Sequence, residues 1–294
     1  MLELSALLKE YLDYLEIEKN RSPRTSENYA RYLALFLKDT KAKHPKDITD
    51  GTVRDFRIGL ARRGLKKITQ SYYVIALRNF LKYLAKRDIP SLAPDKIELP
   101  KIAKRQIDVL EYKDLERLLV SPTGSGLRAL RDRAVLEVFF STGLRVSELC
   151  ALDRYINIDQ GELSVRGKGE KLRVVFLANR TKKALKEYLE KRSDTDQALF
   201  ISIDKAGNVL GRIIPRAVER LVDAAAKKAG LPKKIHPHEL RHSFATDLLI
   251  NGADIRSVQE LLGHANISTT QIYTHLTNKE LREIHEAFHA RRRK

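Results

Sequence analysis

Three prolines, Pro90, Pro94 and Pro100, fall within residues 88–106 and set the tightest limit on how this chain folds. Proline lacks a backbone donor and clashes with the preceding turn, so no regular helix or inner strand runs through that stretch. The 294-residue chain is thus expected to form a first domain over residues 1–88, a linker over 89–106 and a second domain over 107–294. The linker cations Lys96, Lys101, Lys104 and Arg105 suit a tether that follows a phosphate backbone, and equally a plain solvated tether.

Residues 1–88 carry helical periodicity throughout. Leu4, Leu8, Tyr11, Leu12 and Leu15 recur at helical spacing, as do Tyr29, Leu33, Phe36 and Leu37, and Tyr73, Leu77, Phe80, Leu81 and Leu84. A further helix is expected from about Asp50 to Arg63, ended by Gly64, with Ser26, Thr49 and Thr69 as candidate N-caps. The expectation is a compact four-helix bundle. Beyond residue 107 the pattern is mixed: a helix from Ala129 to Ser141 stopped by Gly143, and a short helix from Arg145 to Leu152. Three short strands follow at Ile156–Ile158, Glu162–Arg166 and Leu172–Leu177, and mostly helix follows Thr181, broken at Gly230, Gly252 and Gly263. The fold class expected is mainly α with a small antiparallel β-sheet.

A formal net charge of +18 points to a polyanionic partner, nucleic acid first among them, with an anionic membrane surface or a ribosomal site as the other options. The single cysteine, Cys150, excludes an intramolecular disulfide and reads as a small core residue. The charged N-terminal stretch does not suit a signal peptide, and no apolar run reaches the roughly 18–20 residues that span a bilayer. These features predict a soluble, cytoplasmic protein without membrane partners.

Cleaving a phosphodiester places extra negative charge on the non-bridging oxygens, which calls for fixed cations and donors. Arg145 stands at a helix start just past the Gly143 break. Arg241 follows His238 by three residues in HPHELRHSFAT (236–246), so a helix starting at Pro237 puts both on one face. Tyr273, in LLGHANISTTQIYTH (261–275), is a candidate nucleophile whose pKa near 10 adjacent arginines would lower. Lys168, in the Gly167-Lys168-Gly169 turn, is placed to protonate a leaving alkoxide, and His264 to donate to the phosphate. Each residue alone has an ordinary reading: a solvated face for the arginines, an exposed turn for Lys168, half-buried packing for Tyr273, structural roles for His242 and His275. Their joint occurrence is what selects the chemistry.

STGLRVSEL (141–149), RGKGEK (166–171), HPHELRHSFAT, LLGHA and QIYTH resemble the signature boxes of the tyrosine recombinase (integrase) family, in order, and most of all those of the chromosomal Xer recombinases. The likeness spans essentially the whole chain. It implies an N-terminal helical core-binding (SAM-like) domain and a C-terminal catalytic domain. It assigns the catalytic set to Arg145, Lys168, His238, Arg241, His264 and Tyr273, with Glu148 as a buttress. It further implies a 3′-phosphotyrosyl intermediate, no metal and no ATP, and a role in resolving chromosome dimers on a double-stranded DNA recombination site. The tail from Lys279, apolar at Leu281, Ile284 and Phe288, would dock on a neighbouring protomer and build a homotetramer on two DNA sites; a helix folded back on its own domain is the alternative. A second recombinase or a DNA translocase remains open as a further partner. Within this chemistry an element-type integrase or a type IB topoisomerase-like enzyme is the alternative.

Two readings of other classes compete. His238-Glu239-Leu240-Arg241-His242 matches the H-E-x-x-H pattern of zinc metalloproteases, with His264 as a third ligand. That reading leaves Arg145, Lys168 and Tyr273 without a task and sets Arg241 beside the metal. The other is a DNA-binding protein used only for architecture, which would not need the full set of reactive residue types.

Overall fold

The computed structural model describes residues 3–100, 109–167 and 172–263. The chain separates into two compact units, residues 1–105 and 106–294.

The first unit is helical. Helices α1 (Leu4–Ile17), α2 (Pro23–Thr40), α3 (Asp50–Arg62) and α4 (Lys67–Lys86) pack around one core. α1 buries Leu4, Leu7, Tyr11 and Leu15, a stripe at spacings of three and four. α4, the longest, buries eight residues from Ser71 to Leu84. Fully burying a leucine or phenylalanine contributes about 1.5–3 kcal/mol, so these stripes outweigh the modest propensities of the tyrosine-rich segments. Thr49 caps α3, its hydroxyl accepting from the Thr52 N–H at 3.2 Å. The other two expected caps lie elsewhere. Ser22 precedes Pro23 at the start of α2 while Ser26 is buried inside it, and Lys66 precedes α4 while Thr69 lies within it. Proline at the first helical position accounts for the α2 boundary, since its fixed φ suits that place. Past α4, Pro94–Lys96 forms one 3-10 turn and Ile97 is buried in the same core.

The second unit is built around α6 (Leu127–Thr142), which follows α5 (Tyr112–Val120). Ala134, Val135, Leu136, Val138 and Phe139 are all fully buried, and Arg131, Glu137 and Thr142 extend the burial round the rest of α6. A helix buried on all sides belongs in the middle of a core, and α8 (Asn179–Glu190) and α10 (Pro237–Ile250) lie against it. Its two buried charges are matched: Arg131 binds Asp132 and the Ile201 carbonyl, and Glu137 pairs with Arg180 at 2.6 Å. The remaining helices are α7 (Val146–Ala151), α9 (Pro215–Lys228) and α11 (Ile255–Leu262). No helix among the described residues is long and apolar enough to cross a membrane.

The strands form two antiparallel hairpins. β1 (Glu162–Arg166) pairs with β2 (Leu172–Phe176), Glu162 opposite Phe176 and Arg166 opposite Leu172. β3 (Ile201–Ile203) pairs with β4 (Val209–Arg212). The expected strand at Ile156–Ile158 is absent. The chain turns there, and the Asn157 side chain accepts from the Gln160 N–H at 3.1 Å, a local bond that competes with strand pairing. The β3–β4 hairpin lies in the stretch expected to be mostly helix.

Candidate active site

Gly143 ends α6 in the left-handed region, φ +59°, and no other residue fits it. A Cβ there would collide with the Phe244 ring of α10 and come within 3.1 Å of Leu262. This tight turn delivers Arg145 to the residue before α7. Arg145 is fastened at once: its backbone N–H donates to Glu148 Oε2 at 2.8 Å and its Nη1 to Glu148 Oε1 at 2.7 Å.

Arg241 lies on α10 with 4% of its surface exposed. Its Nη1 donates to the Gly143 carbonyl at 2.5 Å and its Nη2 to the Leu262 carbonyl at 2.7 Å. Pro237 opens α10 as expected, and His238 stands in its first turn. His238 reaches solvent, yet partial burial, and after it the charges of Arg241 and Arg145, hold its pKa below the ordinary histidine value. His242, one turn on, is pushed down to about 4 by burial and then by the His238 and Arg241 charges, so it is neutral at physiological pH. Glu239, the second fixed position of the H-E-x-x-H pattern, turns back to accept the His236 N–H at 2.8 Å and caps α10.

The third component is the C-terminal end of α11. Asp254 starts this helix, accepting from the Arg256 and Ser257 N–H groups at 2.9 and 3.0 Å. Phe244, Ala245, Leu249, Val258 and Leu262 form a small apolar cluster that fixes α11 to α10. The helix stops at Gly263, φ +62°. Three successive carbonyls at its negative end then accept from three different arginines: Leu261 from Arg173 Nε at 3.0 Å, Leu262 from Arg241, and Gly263 from Arg145 Nη2 at 3.0 Å. Glu148, 5% exposed, is the carboxylate among them. Burial alone would raise its pKa, but bonds from Arg173 and from the Arg145 backbone and side chain outweigh it and hold the group at about 2. Three guanidiniums and one carboxylate leave a net positive, preorganised cluster that suits a phosphate.

Of the residues expected from the sequence, Arg145, His238 and Arg241 are brought together here, with Glu148 beside them. Lys168, His264 and Tyr273 lie outside the described residues, as do Leu281, Ile284 and Phe288. Arg173 was missed. Its signal was a lone cation among the apolar residues of β2, where Arg173 and Val175 turn inward while Leu172, Val174 and Phe176 are exposed.

Two family models cover most of the chain: the phage integrase family over residues 108–280 and the phage integrase N-terminal SAM-like domain over residues 8–88. The tyrosine recombinase XerC of Thermodesulfovibrio yellowstonii is 36% identical over 285 residues, covering 95% of this chain and 94% of that protein. The tyrosine recombinase XerD of Listeria innocua is 37% identical over 299 residues, covering 98% of this chain and all of that protein. Among solved structures, the XerH site-specific recombinase bound to palindromic difH substrate matches with a TM-score of 0.71 and 27% identity, over 94% of this chain and 82% of that one. The chain belongs to the phage integrase family, the tyrosine recombinases.

Proposed function

We propose that this protein is a site-specific DNA recombinase of the Xer type, which exchanges strands at a recombination site and resolves chromosome dimers. The observation that supports it most is the anchoring of Arg145 and Arg241 on the Gly263 and Leu262 carbonyls, inside the LLGHA box, with His238 three residues before Arg241 on α10. Relatives named XerC and XerD over nearly the full length favour the Xer role over an element-type integrase. No observation favours the zinc protease.

In this reading the two arginines and His238 hold the scissile phosphate and neutralise charge as it builds on the non-bridging oxygens. Tyr273 loses its phenol proton to solvent as its oxygen attacks phosphorus, the bond to the 5′-oxygen breaks, and Lys168 gives that oxygen a proton. His264 donates to the phosphate. A 3′-phosphotyrosyl bond and a free 5′-hydroxyl result. The 5′-hydroxyl of a second duplex then attacks the same phosphorus and releases Tyr273, so the bond energy is conserved and no nucleotide is consumed. The first unit contributes non-catalytic DNA contacts, in keeping with the +18 charge. The working assembly is a homotetramer on two sites, linked by the tail bearing Leu281, Ile284 and Phe288, in the cytoplasm.

The test is a nicked suicide duplex carrying a site that the protein selects from random DNA. Wild-type protein should form a covalent adduct and Tyr273→Phe none; an adduct with Tyr273→Phe, or none with wild type, sinks the reading.

A further inference from the structure

Glu148 is gripped from two sides. Arg145 reaches it from the start of α7, and Arg173 reaches it from β2 through a two-pronged pair, Nη1 to Oε1 at 3.0 Å and Nη2 to Oε2 at 2.7 Å. The Arg173 Nε meanwhile holds the Leu261 carbonyl, two residues before the Gly263 carbonyl that Arg145 holds. The contacts close a ring: Arg145, Glu148, Arg173, the last turn of α11, and back to Arg145. Gly263 packs against the ring, since a Cβ there would lie 3.1 Å from Arg173 Cδ.

The side chains of Glu148 and Arg173 are 5% and 10% exposed. A buried ion pair returns little net stability over apolar residues of the same volume, because both charges must be desolvated. What the ring supplies is direction. Glu148 has free side-chain torsions, and with Arg145 as its only partner the two would swing together. The fork of Arg173, itself anchored on a helix carbonyl, removes that freedom.

We infer that Arg173 is a positioning residue for phosphodiester cleavage, aiming Arg145 through Glu148 and tying both to the end of α11. The inference rests on the recombinase reading and deepens it.

The experiment uses the full chain on the nicked suicide duplex, with protein in excess, and measures single-turnover adduct formation beside DNA affinity. Arg173→Gln should slow adduct formation roughly 10–100-fold, the scale of a small misplacement of a reacting group, while affinity stays close to wild type. Arg173→Lys, which keeps the charge and loses the fork, should recover only part of the rate. Adding Arg173→Gln to Glu148→Gln should cost little more than Glu148→Gln alone, because the two act along one path. The inference falls if Arg173→Gln cleaves within about threefold of wild type, if its whole loss lies in affinity, or if the two substitutions multiply. Should Arg173→Gln show no cooperative melt, Arg173→Lys decides, and a wild-type rate there overturns the inference. Wild-type protein that forms no adduct overturns the recombinase reading itself, which is a separate result.

Discussion

The Arg241 guanidinium donates to the carbonyl of Gly143 at 2.5 Å, so the turn that ends α6 and presents Arg145 is also a seat for the arginine of α10. The two arginines are thus registered against each other through backbone, and side-chain flexibility adds little error to their spacing.

Gly143→Ala should damage both arginines at once. The left-handed conformation costs an alanine about 1–2 kcal/mol, and the Cβ collision with Phe244 adds about 1–3 kcal/mol of overpacking. At about 2–4 °C per kcal/mol for a unit of this size, the melting temperature should fall by roughly 4–20 °C. A calorimetric scan checks this, and an unchanged transition would contradict the assigned backbone.

Arg145→Ala and Arg241→Ala should each slow covalent adduct formation by roughly 10²–10³, the usual cost of one fixed transition-state donor. They should differ in stability. Arg145 has 28% of its side chain exposed and its removal leaves Glu148 paired with Arg173, so Arg145→Ala should cost less stability than Arg241→Ala, which leaves two buried carbonyls without their donor. Paired melting curves and single-turnover cleavage separate the effects; equal destabilisation would argue against the burial described.

Acid should loosen the arginine cluster through Glu148. Its folded pKa of about 2 lies below its ordinary 4.5, so between those values the unfolded chain binds more protons. The stability it confers is full above about pH 4.5 and is lost as pH falls towards 2. Urea midpoints measured from pH 6 to pH 2.5 should therefore drop less steeply for Glu148→Gln than for wild type. Parallel slopes would remove Glu148 as a titrating contributor.

His242 gives the opposite chemical group with the same sign. Its folded pKa of about 4 sits below the ordinary 6.5, so it stays neutral in the fold while the unfolded chain takes up a proton. Stability from this source falls as pH drops from 6.5 to 4. An NMR titration should place the His242 ring midpoint near 4 and that of His238 below 6.5; a midpoint at 6.5 for His242 would show a solvated ring.

Helical spacing made α1 to α4 legible, because each buries a stripe broad enough to survive errors at its ends. The glycines at 143, 230, 252 and 263 stood out as breaks, and all four have positive φ. The β3–β4 hairpin did not, since its strands have three and four residues, an irregular register, and exposed apolar residues at Val209 and Leu210. Ile156 and Ile158 misled for the converse reason: apolar alternation was present, but a side-chain bond from Asn157 set the backbone. At the site, Arg145, His238 and Arg241 could be found because each stands beside a helix boundary. Arg173 carried only the weak signal of a cation in an apolar strand, because its partner Glu148 is 25 residues away and only folding shows that they meet.

The carbonyls of Leu261, Leu262 and Gly263 follow one another at the end of α11, and each meets its own arginine. Inserting or deleting a single residue within Ile255–Leu262 would turn that end by about 100° and unseat all three arginines together. Exposed positions on α11 are free to vary in kind, but the helix has a fixed length, and this eight-residue segment works as a gauge block for the charges around it.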